Sequence, residues 1–196
     1  MIVSRIGRKI IKVYDAITYV KTDSKLEFSY LFFGKLIKKH FVIPKYIRIK
    51  TIKLSDDSRY DHALQLIYDN DGIKRHHAMY GTLRQLINNL IEGINDPYRV
   101  VIESNHVKVF FVKNKQETDC FCVSVGTVDL KKYVKRQDVK YEFSEEGKKL
   151  TLISCDWHSI TLEASKIQKM YKINKYTGKG LIINNQKIIK KKRRSK

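Results

Sequence analysis

The chain has 196 residues, enough for one large domain or two small ones, and its 42% of hydrophobic residues exclude a wholly disordered basic polypeptide. Its 40 Lys and Arg residues against 20 Asp and Glu give a formal net charge of +20, which is best tolerated beside a polyanion. Three cysteines do not fit a disulfide scaffold, and no apolar run is long enough to span a membrane. These features predict a folded nucleic-acid-binding protein of a reducing compartment.

The positive charge is concentrated at the two ends of the sequence. Residues 1–53 hold 13 basic and 3 acidic side chains, and residues 164–196 hold 12 basic side chains and no acidic one. Residues 54–107 instead hold 5 basic and 8 acidic side chains. This distribution predicts that the ends contact phosphate while the middle folds or faces protein. Lys outnumbers Arg by 30 to 10, which favours diffuse neutralisation of phosphate over sequence-specific reading of duplex DNA.

In the first half, segments rich in β-branched and aromatic residues predict strands, followed by an amphipathic helix. The predicted strands cover residues 25–33, 46–54 and 64–68, and the helix covers Thr82 to Gly93. Thr82 is the expected N-cap and Gly93 the expected end of the helix. One helical face is predicted to be apolar, with Leu83, Leu86, Ile87, Leu90 and Ile94, and the other polar, with Arg84, Gln85, Asn88, Asn89 and Glu92.

The second half repeats this order after the hinge predicted at Asn95-Asp96-Pro97. Strands are predicted at residues 98–103, 107–112, 119–125, 139–143 and 150–153. A second helix is predicted from Asp156 to about Lys172, with Asp156 or Ser159 as its N-cap. Its apolar face carries Ile160, Ala164, Ile167 and Tyr171, and Lys166, Lys169 and Lys172 point to the opposite side.

The repeated order predicts an α+β fold of two tandem repeats, each an antiparallel sheet with a helix packed on one face, followed by a basic C-terminal extension. The predicted domains are 1–95, with an N-terminal basic arm, and 96–180, with a basic tail at 181–196.

The segment from Lys175 onward has the chemistry of an RNA clamp. Gly178 and Gly180 allow close approach of the backbone to phosphate, Lys179 supplies a cation, and Tyr176 offers a ring for stacking on a base or ribose. A flexible surface loop is the alternative for this stretch. The basic run from Lys190 to Arg194 is also compatible with a nuclear localisation patch.

Residue patterns typical of enzymes and metal sites are weak in this sequence. Cys120, Cys122, Cys155 and His158 could together imitate a zinc site, but their spacing does not match a zinc knuckle. The sequence contains no Walker loop, no GxGxxG motif and no Gly-x-Ser-x-Gly motif. We therefore predict a protein that is not an enzyme and has no cofactor, no metal, no small-molecule substrate and no membrane partner.

Three ordered segments of the chain carry a family resemblance. The first is Ser4-Arg5-Ile6-Gly7-Arg8-Lys9, the second runs from Gly81-Thr82-Leu83 to Gly93-Ile94, and the third is Tyr176-Thr177-Gly178-Lys179-Gly180. They resemble the universal L-six family of large-subunit ribosomal proteins, bacterial type. The resemblance implies two tandem L-six-type domains, of which the second is the main rRNA-binding domain. It further implies binding to large-subunit rRNA near the sarcin-ricin loop and the factor-binding region, contacts with neighbouring ribosomal proteins, and no catalysis.

The residues expected to bind RNA lie in three groups. The N-terminal anchor has Arg5, Arg8 and Lys9. The helix and the loop after it contribute Lys166, Lys169, Lys172, Lys175, Tyr176, Gly178, Lys179 and Gly180. The tail contributes Lys187, Lys190, Lys191, Lys192, Arg193 and Arg194.

The composition indicates where the protein works. With 30 Lys and 24 Ile against 4 Ala, it has the bias of AT-rich codons, which suggests a mitochondrial gene. The family-like opening begins at Ser4, leaving no room ahead of it for a removable presequence. We therefore expect the mitochondrial member of the family, acting in the mitoribosome, with a plastid or other organelle ribosome as the runner-up. The alternative from another class is a free regulatory or architectural nucleic-acid-binding protein.

Overall fold

The computed structural model describes residues 9–14, 17–22, 24–53, 62–69, 73–105, 109–113, 120–125, 129–144, 147–184 and 186–191. The chain divides into two compact units, Met1–Asp96 and Pro97–Lys196. Both units are built from antiparallel sheets and a helix, so the predicted α+β class is confirmed.

Within its described residues, the first unit has two three-stranded sheets and one helix. The elements are β1 (Ile11–Val13), β2 (Thr18–Thr22), β3 (Lys25–Phe32), β4 (Lys35–Val42), β5 (Ile47–Lys53), β6 (His62–Tyr68) and α1 (Lys74–Asn95). The strand orders are β1-β6-β5 and β2-β3-β4, with every pair antiparallel. Helix α1 packs on β1 and β6.

Alternating side chains explain how the strands of this unit bury one face. In β3, Leu26, Phe28 and Tyr30 are buried, whereas the residues between them are partly exposed. The hydroxyl of Tyr80 in α1 donates to the carbonyl oxygen of Leu66 in β6 at 2.8 Å, which ties the helix to the sheet inside the core.

Helix α1 begins eight residues before the predicted start, and both predicted end signals are wrong. The Thr82 hydroxyl lies inside the helix and donates to the carbonyl oxygen of Ala78 at 3.1 Å, so Thr82 is not an N-cap. Gly93 is also helical and the helix continues to Asn95. Its first turn is held by tertiary packing, since the ring of His76 stacks on Tyr46 with centroids 3.9 Å apart. The aromatic contact lies outside the helix, which is why local spacing did not predict it.

The apolar face of α1 is rotated slightly from the prediction. Leu83, Ile87 and Leu90 are buried as expected, and Ile91 is buried as well, but Leu86 is 38% exposed. Arg84, predicted on the polar face, is only 8% exposed.

Within its described residues, the second unit has a four-stranded sheet, a three-stranded sheet and one helix. The elements are β7 (Tyr98–Asn105), β8 (Val109–Lys113), β9 (Cys120–Val125), β10 (Asp129–Val134), β11 (Lys140–Phe143), β12 (Lys149–Ser154), α2 (Trp157–Met170) and β13 (Gly180–Ile183). The strand orders are β11-β12-β7-β13 and β10-β9-β8, again antiparallel. Helix α2 packs on β7, β12 and β13, over a core that includes Ile102, Phe121 and Leu150.

The prediction of one sheet for each half is wrong, because the described residues of each unit form two. Strands β1, β2, β4, β10 and β13 were not predicted. Strand β4 has no fully buried residue, so its sequence carries little of the apolar alternation on which such predictions depend. Strand β13 contains the first residues of the predicted tail, with Leu181 completely buried, so the tail starts later than expected.

The two units share one order of strands. In the first, β5-β6-β1 form one sheet and the intervening β2-β3-β4 form the other; in the second, β11-β12-β7 and β8-β9-β10 have the corresponding positions. The helix follows the last of these strands in both cases.

In the described part of the chain, neither helix combines the length and the apolar character needed to cross a membrane.

Candidate nucleic-acid interface

Helix α2 is fixed at its start by the predicted N-cap. Asp156 Oδ1 accepts a hydrogen bond from the backbone N–H of His158 at 3.1 Å, and Oδ2 accepts one from the hydroxyl of Ser159 at 2.7 Å. Ile160, Ala164 and Ile167 are buried, which confirms the predicted apolar face. The buried face therefore packs on the sheet, and the outer face of the helix points away from the sheet in a defined orientation.

The three lysines predicted on the outer face of α2 do not have equal surroundings, and the helix ends at Met170, so Lys172 lies just beyond it. Lys166 Nζ lies 3.0 Å from Glu163 Oε1, so part of its charge is neutralised within the protein. Lys169 and Lys172 are exposed, and neither forms an ion pair with any other residue that the structure describes. The end of the helix and the residues just after it therefore present more uncompensated positive charge than its middle.

The end of α2 receives a further cation from the three-stranded sheet. Lys131 Nζ donates to the carbonyl oxygen of Met170 at 3.1 Å and lies 4.5 Å from the ring centroid of Tyr171. A cation at the C-terminal end of a helix is favourable because the free carbonyl groups there carry partial negative charge.

The loop after α2 is closed by its own backbone and by Asn174. The Asn174 N–H donates to the carbonyl oxygen of Lys179 at 2.8 Å, and the Gly178 N–H donates to the carbonyl oxygen of Asn174 at 2.7 Å. Asn174 Oδ1 also accepts from the N–H groups of Tyr176 and Thr177. The loop therefore forms a hydrogen-bonded turn in the structure.

Lys175, Tyr176 and Lys179 are among the exposed residues of the loop, together with Asn174 and Thr177. The exposed fraction of Tyr176 is 54%. An exposed phenol ring flanked by two ammonium groups is suited to contact with a nucleotide, because the ring can stack while the cations meet phosphate.

The two glycines of this loop have a conformational role that the sequence prediction missed. Gly178 and Gly180 are buried and have φ of +76° and +143°, values that side-chain-bearing residues rarely adopt. A Cβ on Gly180 would lie 2.7 Å from Cα of Ile173. At Gly180 the close neighbour is the protein's own backbone, and the approach of the two glycines to phosphate stays a prediction.

The tail returns to the loop after β13. The Lys191 N–H donates to the carbonyl oxygen of Lys175 at 2.9 Å, and the Gln186 N–H donates to the carbonyl oxygen of Ile183 at 2.9 Å. Residues 186–191 therefore lie beside the end of α2 and the loop. We call the lysine surface the set of exposed lysines that this arrangement assembles in the second unit: Lys169, Lys172, Lys175, Lys179, Lys187, Lys190 and Lys191.

The predicted N-terminal anchor is only partly within the described residues. Lys9 is exposed, and Arg5 and Arg8 lie outside the described residues, as do Lys192, Arg193 and Arg194 at the other end. The backbone at Lys9 is held by Arg84, whose Nε donates to the Lys9 carbonyl oxygen at 3.3 Å. Burial lowers the pKa of Arg84 from its usual range.

A buried carboxylate in the middle of α2 was not predicted. Glu163 is completely buried and accepts hydrogen bonds from the phenol groups of Tyr133 and Tyr141. Burial is the main reason that the pKa of both tyrosines is raised. The carboxylate of Glu163 raises both pKa values further. The helical period contained the signal, because position 163 lies between Ile160 and Ile167 on the buried face.

Arg136 completes the network around this carboxylate. Its guanidinium makes two hydrogen bonds of 2.8 Å to the carboxylate of Asp138 and lies 3.9 Å from Glu163 Oε1. The hydrogen bond to Asp138 raises the pKa of Arg136. Within the described residues, no group of three or more His, Cys, Asp or Glu side chains is arranged to hold a metal ion.

The fold and this surface define a small α+β protein with a lysine-rich face on its second unit. A comparison with models of known protein families finds no match. Over 128 residues the chain is 28% identical to the large ribosomal subunit protein uL6 of Phocaeicola vulgatus. The alignment covers 64% of this chain and 66% of that protein, slightly less than two thirds of its length. This similarity to a ribosomal protein supports the family resemblance predicted from the sequence.

Proposed function

We propose that the protein is a structural constituent of the large ribosomal subunit and binds rRNA through the lysine surface. The observation that carries the proposal is the gathering of seven exposed lysines at the end of α2, in the ordered loop and in the returning tail. The sequence from residue 164 to 196 contains no acidic residue to oppose them. Its similarity to a large-subunit protein makes rRNA the polyanion that fits best.

The finer parts of the proposal concern the repeat and the second anchor. The common strand order of the two units supports a duplicated L-six-type architecture in which the second unit is the main RNA-binding half. Arg5, Arg8 and Lys9 would then form an independent RNA contact on the first unit. The family resemblance of the sequence favours a site near the sarcin-ricin loop and the factor-binding region, with neighbouring ribosomal proteins beside it.

The proposed location is an organelle ribosome, with the mitochondrion favoured. It is supported by the strong excess of Lys and Ile over Ala, because AT-rich genomes produce this bias. Subcellular fractionation followed by immunodetection in the mitochondrial large-subunit fraction tests this location. Detection only in the cytosolic ribosome fraction would contradict it.

Sucrose-gradient sedimentation with and without RNase tests the proposed function. We expect the protein to sediment with large subunits, to leave that fraction after RNase treatment, and to crosslink to large-subunit rRNA. A free regulatory or architectural protein would instead remain near the top of the gradient without RNase and would bind free duplex nucleic acid.

Matched charge variants test whether the lysine surface carries the binding. Replacing Lys169, Lys172, Lys175 and Lys179 by Gln should reduce incorporation and lower the slope of log affinity against log salt by about 3 to 4. The control changes Lys35, Lys45, Lys50 and Lys53 to Gln, four exposed lysines of the first unit, so the net charge is identical. Equal losses in the two variants would show that total charge, and not this surface, determines binding.

A further inference from the structure

A groove between the returning tail and the end of α2 has a composition unlike the rest of the lysine surface. It has a volume of about 440 Å³ and lies in the second unit. Its walls come from three segments, and the residues that line it are Gln168, Lys172, Ile173, Lys175, Gln186, Lys187, Ile188, Ile189 and Lys191. The volume falls within the range of ~300–1,000 Å³ typical of sites for small organic groups.

The groove is shaped by hydrogen bonds at both ends of the tail. At one end Gln168 Nε2 donates to the carbonyl oxygen of Leu181 at 3.1 Å and approaches Gln186 Oε1 at 3.5 Å. At the other end the backbone of Lys191 is bonded to that of Lys175. The walls are therefore formed by the protein alone, before any partner binds.

The lining combines two chemistries that seldom occur together on a protein surface. Four lysines line the groove, and none of them forms an ion pair with another described residue. No acidic residue is among the described residues of the lining. Three isoleucines lie among these cations. Ile189 is 84% exposed, although exposure of an aliphatic side chain to water is unfavourable.

We propose that this groove holds a single unpaired nucleotide of RNA, an inference that rests on the proposed binding to rRNA. A regular RNA duplex offers phosphates but keeps its base faces stacked inside, so it matches the lysines and leaves the isoleucines unused. An unpaired nucleotide offers both a flat apolar base and a phosphate on each side. The base packs on Ile188 and Ile189, the amides of Gln168 and Gln186 meet its polar edge, and the lysines neutralise the flanking phosphates.

The experiment compares two RNA hairpins of equal phosphate number that share the same terminal loop, one with a single bulged nucleotide in its stem and one with a fully paired stem. Affinities of the full-length protein are measured by fluorescence anisotropy at several salt concentrations. We expect the wild-type protein to prefer the bulged hairpin by about tenfold, because its stem offers the isoleucines an unpaired base that the paired stem does not. The double variant Ile188→Ser and Ile189→Ser should lose the preference and keep its affinity for the paired hairpin.

A matched control uses another exposed aliphatic residue of the same unit. Leu162 is 41% exposed on α2 and does not line the groove, so Leu162→Ser should keep the preference for the bulged hairpin. The fluorescence of Trp157, the single tryptophan, verifies that each variant is folded.

Each possible failure points to a different premise. Equal affinity of the wild-type protein for both hairpins, or an unchanged preference in the serine variant, would overturn the groove as a nucleotide site while leaving the proposed function standing. Equal affinity together with lost incorporation of the serine variant would assign the groove to a neighbouring protein and also overturn the inference. Absence of salt-dependent binding to either RNA would instead contradict the proposed function itself.

Discussion

Replacing Glu163 by Ala should strongly destabilise the second unit. The buried carboxylate is the common acceptor of two phenol groups and lies 3.0 Å from Lys166 and 3.9 Å from Arg136. Removing one partner of a buried ion pair costs about 3–5 kcal/mol. Arg136 keeps its two bonds to Asp138, and Lys166 is half exposed, so we expect a loss near the lower limit, about 3 kcal/mol.

The conservative change Glu163→Gln should cost less, about 1–2 kcal/mol, since the amide oxygen can still accept from a phenol although the charge is lost. Glu142→Gln is the control. Glu142 pairs with Lys140 at 2.7 Å, but its side chain is 47% exposed, and exposed pairs contribute at most about 1 kcal/mol.

Urea unfolding followed by Trp157 fluorescence measures these changes, because the tryptophan lies in the first turn of α2 and contacts Tyr98. The expected order of lost stability is Glu163→Ala, then Glu163→Gln, then Glu142→Gln. Midpoints that coincide for the three variants would refute the reasoning that the buried carboxylate organises this unit.

Two further predictions follow from the glycines and the buried thiol. Gly180→Ala should destabilise the protein by more than Gly34→Ala, for which we expect about 1–2 kcal/mol. Both glycines have positive φ, but a Cβ at Gly180 would lie 2.7 Å from backbone, whereas a Cβ at Gly34 has open space. Equal shifts in melting temperature would contradict this prediction. Burial, followed by the nearby Asp156, raises the pKa of Cys155 to about 12. The unfolded thiol loses its proton above pH 9, so this contribution to stability is complete below pH 9 and declines from there toward pH 12. Between these pH values, the free energy of unfolding measured with urea should decline less in Cys155→Ala than in the wild-type protein. An equal decline in both proteins would argue against the raised pKa of Cys155.

The second helix shows what the sequence could predict and why. Its apolar period, its acidic N-cap and its lysine-rich outer face are all local, and the structure contains each of them. The Glu163 network depends on residues from three separate elements, so spacing along one helix could indicate burial but not the partners.

Helix α1 and strand β4 show where prediction from the sequence fails. The first two turns of α1 depend on rings from β6 and from the residue before β5. Tyr46 stacks on His76, and Tyr68 contacts His77 edge to face and stacks on Tyr80. No helical period encodes such contacts. Strand β4 exposes most of its side chains, so its pairing with β3 is a property of the sheet that its own sequence barely expresses. One end of the returning tail is likewise held by a backbone bond between Lys175 and Lys191, which any residue type could make.

The closure of the loop by Asn174 has a kinetic consequence. Its side chain and backbone together fix residues 174–179 in the free protein. Ordering a backbone residue costs about 1–2 kcal/mol, so a loop that is already closed avoids several such losses at the moment of encounter. In the proposed binding to rRNA, docking would then be limited by collision and long-range attraction and would not wait for a slow rearrangement of the loop.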